Sequence, residues 1–523
     1  MFCERLNGKC QIMKKVNSLL RNRNETSAPT HRRNLSRRQF LLTGVAGATA
    51  FTIVPRHLLG ESKNIKSDEF EPDRAMVETH PFVQGEEMSQ EYTVTVNGQP
   101  VPVYTAPIEA RHNLLSGQDW DLTYSFSSFE FSGRITVKIS SSKPLTALSI
   151  RPALSEIPVK LEGKTATFTL DQPGNFVIER NNNGRKDPLL LFANPIETER
   201  PRQGDPGVIY YGPGRHNAGM IHLTSNQTLY IAGGAVVTGA VIARGDNIRI
   251  LGRGLLENSG ADYYRKYMIL LEQCTRARIE GITIRKGSRG WTIVPKDCDG
   301  VAISNVKICG SYASNDDGID PVNTRNMTIE NCFIRTTDDC LAFKGMGYGN
   351  RNCENITVLR TSLWSDKCCA ILLGDESRAD YMRNITVKDC HVLYLSFDFA
   401  QPNPFDKKFL MLHSGEEMQM ENLRFENIDI YGEGQDRNYI EMTCEFNQYS
   451  KTKVPGFIKN VVLKDVKLTG KEGPYTIVIK GFDEQYGIGN VTFDNCTING
   501  KPITEKSSNL KIGEFTKNIR FIK

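Results

Sequence analysis

One short phrase recurs through the second half of the chain and narrows its fold more than any other feature. An Asn, or a residue in its place, precedes apolar positions that alternate with polar ones: Asn247-Ile248-Arg249-Ile250, Ala277-Arg278-Ile279, Val301-Ala302-Ile303, Asn326-Met327-Thr328-Ile329 and Asn355-Ile356-Thr357-Val358. The series continues at Asn384-Ile385-Thr386-Val387, Asn422-Leu423-Arg424-Phe425, Asn460-Val461-Val462-Leu463, Asn490-Val491-Thr492-Phe493 and Asn518-Ile519-Arg520-Phe521. Its anchors, from Ile250 to Phe521, lie 29, 24, 26, 29, 29, 38, 38, 30 and 28 residues apart. Such a period, with short strands and no sustained helical pattern, predicts a β-solenoid. One coil cannot bury its inward face alone and must share a core with its neighbours. Three residues past the anchor the inward position is again apolar or small (Ile282, Val306, Cys332, Cys390, Ile428, Val466, Cys496), with Arg253 and Thr361 as exceptions. The cysteines in this series read as small buried hydrophobes, and the Asn as a turn residue that visits left-handed backbone. No leucine-rich spacing or Trp-Asp blade signature accompanies the repeat. The expected fold is all-β, a right-handed parallel β-helix over residues 201–523.

The rest of the chain is patterned differently. In residues 88–200, Tyr92–Val96 followed by Asn97-Gly98 reads as a strand and tight hairpin turn. Further alternating runs at 129–131, 134–139, 166–170 and 176–179, parted by Gly, Pro and Asn, predict a small β-sandwich. Residues 61–87 are acidic and contain Pro, as a linker would. Residues 1–60 hold 11 Lys/Arg against Glu4 and Glu25; with a whole-chain charge of +5, the remainder is −4. The basic character is therefore confined to the tail, which argues against a nucleic-acid-binding body. Within it, Ser36-Arg37-Arg38-Gln39-Phe40-Leu41-Leu42 opens a weakly apolar run to Val54, too short to span a bilayer comfortably and suited to a twin-arginine export leader. A periplasmic or secreted bacterial protein is expected, without stable membrane insertion. No Cys-x-x-Cys or paired-His spacing is present, so neither a metal site nor a cofactor is expected. The Gly-rich Gly345–Gly349 stretch has no phosphate-loop context.

Chemistry concentrates in Asn315-Asp316-Asp317-Gly318-Ile319-Asp320 and Asp338-Asp339-Cys340-Leu341-Ala342-Phe343-Lys344. Asp317 precedes Asp338 by 21 residues and Asp339 by 22, about one short coil. Residues one coil apart share a face at ~4.8 Å, so Asp317, Asp338 and Asp339 should converge. Carboxylates that close cannot all ionise freely. A mixture of protonated and ionised carboxyls is what acid/base cleavage of a glycosidic bond requires. Asp320, Lys344, Trp291, Tyr312, Trp364, Glu376 and His413 surround the trio in sequence and are expected to contact substrate, the aromatic residues by stacking on sugar faces.

These motifs resemble the paired catalytic motifs of glycoside hydrolase family 28, the polygalacturonases and their relatives. Trp291-Thr292-Ile293-Val294-Pro295 with Cys298 is similar to the segment upstream of them. The likeness runs from about Val208 to Asn427. Family 49, the dextranases and isopullulanase, is similar as well and carries a β-sandwich ahead of its helix. Both resemblances imply a right-handed β-helix and hydrolysis with inversion. By motif, Asp338 would be the general acid, and Asp317 with Asp339 would position and deprotonate water; the residues alone name the trio without assigning those roles. Two family 28 motifs are missing. Where Gly-His-Gly should fall, Lys367-Cys368-Cys369-Ala370 has Cys368 in the place of His. Where Arg-Ile-Lys should meet a uronate carboxylate, Leu410–His413 reads Leu-Met-Leu-His. Loss of that cationic pair favours a neutral polysaccharide or oligosaccharide. The alternatives are a polygalacturonase or rhamnogalacturonase, a Ca²⁺-dependent lyase using the acids and Lys344, and a glycan-binding protein without activity.

Overall fold

The computed structural model describes residues 75–108, 123–152, 157–182, 186–258, 266–287, 289–310, 315–347, 352–395, 408–433 and 438–523. The leader at 1–60 and Tyr312 lie outside them. Every regular element among the described residues is a β-strand.

Two antiparallel-rich sheets come first. One orders strands Gln99–Val101, Tyr92–Val96, Ile135–Ser141, Thr165–Leu170 and Lys160–Glu162; the other is built on Thr123–Ser132, Leu189–Pro195 and Gly174–Arg180. Alternation decides which side chains meet between them. Along Thr165–Leu170 every second residue is buried, and Val94, Val137, Phe168, Phe131 and Ile178 pack in one sandwich core. Leu189–Pro195 breaks the alternation because both its faces are covered. Leu189 and Leu191 enter the sandwich core, while Leu190 and Phe192 pack on Phe333, Trp364 and Tyr394 of the solenoid.

The part of the 61–87 stretch that the structure describes, 75–87, does not behave as the expected linker. From residue 75 onward it joins the fold: Met76–Glu78 pairs antiparallel with Thr123–Ser132, Val83 is buried, and Glu86 holds Arg285 of the solenoid at 2.5 Å. Glu78 and Glu86 are ion-pair partners of Arg200 and Arg285, contacts that composition does not reveal.

From Val208–Tyr211 onward, strands pair in parallel with the strand one coil later, forming a sheet of 23 strands and a second of six. This is the right-handed parallel β-helix the repeat predicted. The recurring Asn makes two contributions. Asn326, Asn355, Asn384, Asn422, Asn460, Asn490 and Asn518 all take φ of 54 to 58°, a region Asn enters at lower cost than other residues with a Cβ. Their amides also form a ladder, each Nδ2–H donating to the Oδ1 of the preceding coil, from Asn355 to Asn326 at 3.1 Å through Asn518 to Asn490 at 3.1 Å. Inside, Cys332, Cys390 and Cys496 are buried among Ile, Val and Leu. The exceptions have reasons of their own. Arg253 leaves the core for Glu130 of the sandwich at 3.2 Å. Thr361 satisfies its hydroxyl locally, donating to the Leu359 carbonyl at 3.0 Å and accepting from the Cys332 N–H at 3.4 Å.

Candidate functional site

The acids lie where successive coils register. Ile293 bridges Ile319, and Ile319 bridges Leu341; Leu341 pairs with Ile371, and Ile371 with Leu410. Two residues earlier on each coil, the same alignment forms a column of Trp291, Asp317, Asp339, Cys369 and Lys408. Backbone bonds hold the column: Thr292 N–H to Asp317 O at 2.8 Å, Gly318 N–H to Asp339 O at 2.8 Å and Cys340 N–H to Cys369 O at 3.0 Å. Gly318 is obligatory for a steric reason. A Cβ there would stand 2.4 Å from the Cys340 carbonyl oxygen and 2.5 Å from Ile334 Cγ2.

Asp338 is brought alongside by a turn that Asp316 ties down. The buried Asp316 carboxylate accepts the N–H groups of Thr337 at 2.6 Å and Asp338 at 3.2 Å. Thr336 and Ser365 hydroxyls donate to the Asp338 carbonyl at 2.7 and 2.8 Å. One carboxylate oxygen from each of Asp317, Asp338 and Asp339 lies within 4.8 Å of the others. Asp317 and Asp339 are buried; Asp338 is half-buried and faces outward. Burial pushes the Asp317 carboxyl up to about 6, with Lys344 opposing and Asp338 adding to the rise. Burial, reinforced by Cys369 and Asp338, likewise holds Asp339 well above the usual carboxylate range.

Lys344 is the countercharge. Its buried ammonium lies 2.6 Å from Glu376 Oε1, 3.5 Å from Asp317 Oδ2 and 3.6 Å from Asp320 Oδ1, and 4.1 Å from the centre of the Trp291 ring. Burial disfavours its charge, but Asp317, Asp320, Glu376 and Asp339 together keep it protonated far beyond its ordinary range. Asp320 is completely buried, and burial with the neighbouring Asp317 raises its carboxyl well above normal. Lys344 and Asp320, both buried, therefore set the charge of the site from beneath rather than lying at its surface. Trp291 and Glu376 are half-buried and remain partly accessible.

Two further expectations give way. Trp364 cannot stack on a sugar, because the sandwich covers its coil. It is fully buried, its indole lies 3.9 Å from the Arg335 guanidinium, and its Nε1–H donates to Asp366 at 2.9 Å. His413 has both ring nitrogens engaged, with Asp375 Oδ1 at 3.0 Å and the Glu445 carbonyl at 2.7 Å, so it positions the segment beside Glu376.

One residue escaped the sequence reading. Lys286 is buried, and its Nζ has no hydrogen-bond partner among the described residues. Burial lowers its ammonium to about 8, against the opposing pull of Asp316, Asp317, Asp320 and Asp338. The only signal was a Lys directly after an inward-packing strand, Thr283–Arg285, one coil before the acids. Past Asp339 the outer face turns apolar: Ala342, Leu372, Met411, Cys368 and Cys369 pack together.

The profile of Glycosyl hydrolases family 28 matches residues 222–517. "Probable exopolygalacturonase B" of Emericella nidulans is 23% identical over 300 residues, covering 45% of this chain and 63% of that one. "Probable polygalacturonase" of Vitis vinifera is 31% identical over 148 residues, 26% of this chain and 30% of that one. The chain thus covers less than two thirds of either relative. Among solved structures, Dex49A from Penicillium minioluteum superposes with a TM-score of 0.55 at 14% identity, over 85% of this chain and 96% of that one, a likeness of fold.

Proposed function

The chain belongs to glycosyl hydrolases family 28, and from that premise we propose that it hydrolyses glycosidic bonds of a polysaccharide or oligosaccharide with inversion. Asp338, the outward-facing acid, protonates the leaving oxygen. Asp317 and Asp339, buried on adjacent rungs, hold a water; Asp317, raised only to about 6, takes its proton, and Asp339, held higher still, positions it. The observation that carries this reading is the convergence of three carboxylates within 4.8 Å over one buried ammonium, Lys344. The spacing also bears on the stereochemistry. Carboxyls of inverting enzymes commonly stand ~6.5–9.5 Å apart and those of retaining enzymes ~5–5.5 Å, so distance alone would favour retention. Three acids relax that rule, since two can cradle one water while the third faces the leaving group. The Ser36–Leu42 twin-arginine pattern supports export of the enzyme; no helix among the described residues is long and apolar enough to cross a membrane.

For the sugar, we favour a neutral glycan. The strand Leu410–His413 offers Met411 at the apolar patch, where family resemblance would put cations. Lys286 supports a second reading, a uronate substrate, because a buried ammonium without a hydrogen-bond partner is satisfied by an anionic sugar group. Purified protein assayed side by side on neutral α-glucans, polygalacturonate and rhamnogalacturonan decides between them. The expected result is release of reducing ends from a neutral glucan, unaffected by chelator. Preference for polygalacturonate selects the second reading. An unsaturated, ultraviolet-absorbing product lost on chelation refutes hydrolysis.

A further inference from the structure

The column that brings Asp339 beside Asp317 also puts two thiols on Asp339's other side. Leu341 pairs with Ile371, so Cys369 occupies the rung after Asp339, and its N–H donates to Asp339 Oδ1 at 2.8 Å. Cys368 precedes it, its own N–H fixed by the Ser365 hydroxyl at 2.8 Å. Both thiols are free. One ligand atom from each of Asp339, Cys368 and Cys369 lies within 4.8 Å of the other two. Cys368 is half-buried, whereas Cys369 and Asp339 are buried.

The dimensions suit a tetrahedral cation. Metal–sulfur bonds of ~2.3 Å and metal–oxygen bonds of ~2.0–2.2 Å set ligand-to-ligand separations of roughly 3.5–3.8 Å. Side-chain rotation of about 1 Å closes the cluster to that size. The donor set also selects the metal. Two thiolates, with the Met411 thioether packed against them, favour thiophilic ions over Mg²⁺ and Ca²⁺. Asp317 and Asp338, the other acids near Asp339, supply only oxygen. Sequence spacing hid the site because adjacent cysteines match no common zinc pattern; the third ligand comes from the preceding coil.

We propose that Cys368, Cys369 and Asp339 form a binding site for a thiophilic divalent cation such as Zn²⁺ or Cd²⁺, and that its occupancy switches hydrolysis off. Binding releases the two thiol protons, and the Asp339 proton where that carboxyl is protonated, to solvent and forms two metal–sulfur bonds and one metal–oxygen bond, with no change of oxidation state. The inhibitory consequence rests on the reading of Asp339 as a partner of the attacking water, because a carboxylate ligating metal can no longer hold that water. The binding site itself does not rest on that reading.

The test uses the full chain carrying Cys3→Ser and Cys10→Ser, so that the leader thiols do not contribute. Cd²⁺ is titrated while the near-ultraviolet sulfur-to-cadmium band and the heat of binding are followed. One Cd²⁺ per chain is expected, with the band lost in both Cys368→Ser and Cys369→Ser, and no displacement by excess Ca²⁺. Cys368→Ala and circular dichroism guard against loss of fold. An unchanged band in these variants, or none in the parent, overturns the site. Cd²⁺ should also abolish hydrolysis by the parent and spare that of Cys368→Ser. Binding without inhibition overturns the switch, while a metal-free parent inactive on every glycan overturns the hydrolase reading and leaves the site standing.

Discussion

Asp338→Asn should lower turnover by about 10²–10⁴-fold, the range for losing a positioned general acid, with the fold intact. The substitution is nearly isosteric. Asp338 Oδ1 accepts the Asp339 N–H at 3.1 Å, and an amide oxygen can do the same. The turn is held mainly by Asp316 and by hydroxyls on the Asp338 carbonyl, none of which the change removes. What disappears is the proton for the leaving oxygen. Initial rates on the preferred glycan, with circular dichroism of the same samples, measure the effect; near-normal turnover would exclude Asp338 as the acid. In the unaltered enzyme the rate should fall as pH drops through about 6, because Asp317, raised to that value by burial, must be ionised to accept a proton from water.

Lys344→Met should have the largest effect on stability. Removing one partner of a buried ion pair leaves an uncompensated charge and costs about 3–5 kcal/mol; here the orphaned partners are Asp317, Asp320 and Glu376. The pH dependence has a definite sign. Asp317 titrates at about 6 against its ordinary 3.8. Its contribution to stability is therefore full below the unfolded-state value and lost as pH rises through about 6. Lys344 offsets that loss. Urea denaturation should show a deficit in the variant that is large at neutral pH and shrinks in acid, where Asp317 is protonated and needs no countercharge. The acid limb of the rate profile should also move to higher pH. Equal deficits at both pH values would mean that Lys344 acts by packing alone.

The solenoid was legible because its rule is local. Asn247 and its successors state where the chain turns, and the residues after them state which face is buried. The acid trio was legible for a related reason, since one short coil separates Asp317 from Asp339 and parallel pairing makes the separation a contact. What a side chain meets outside the coil was not legible. Trp364 flanks the acids in sequence as well as Trp291 does, yet the sandwich covers one and leaves the other half open. Lys286 belongs to no motif, and its company is set by burial one coil below the acids. Glu86 looked like linker acidity and is in fact the partner of Arg285. In each case the deciding contact spans residues far apart in sequence, and no spacing rule encodes it.

The central claim is that water attacks directly, delivered by Asp317 and Asp339 while Asp338 protonates the leaving group. The configuration of the anomer first released, followed by proton NMR before mutarotation, tests it most directly. The account predicts a product of inverted configuration at the earliest times. A first product of retained configuration would contradict it, and would mean that one of these closely spaced aspartates attacks the sugar itself.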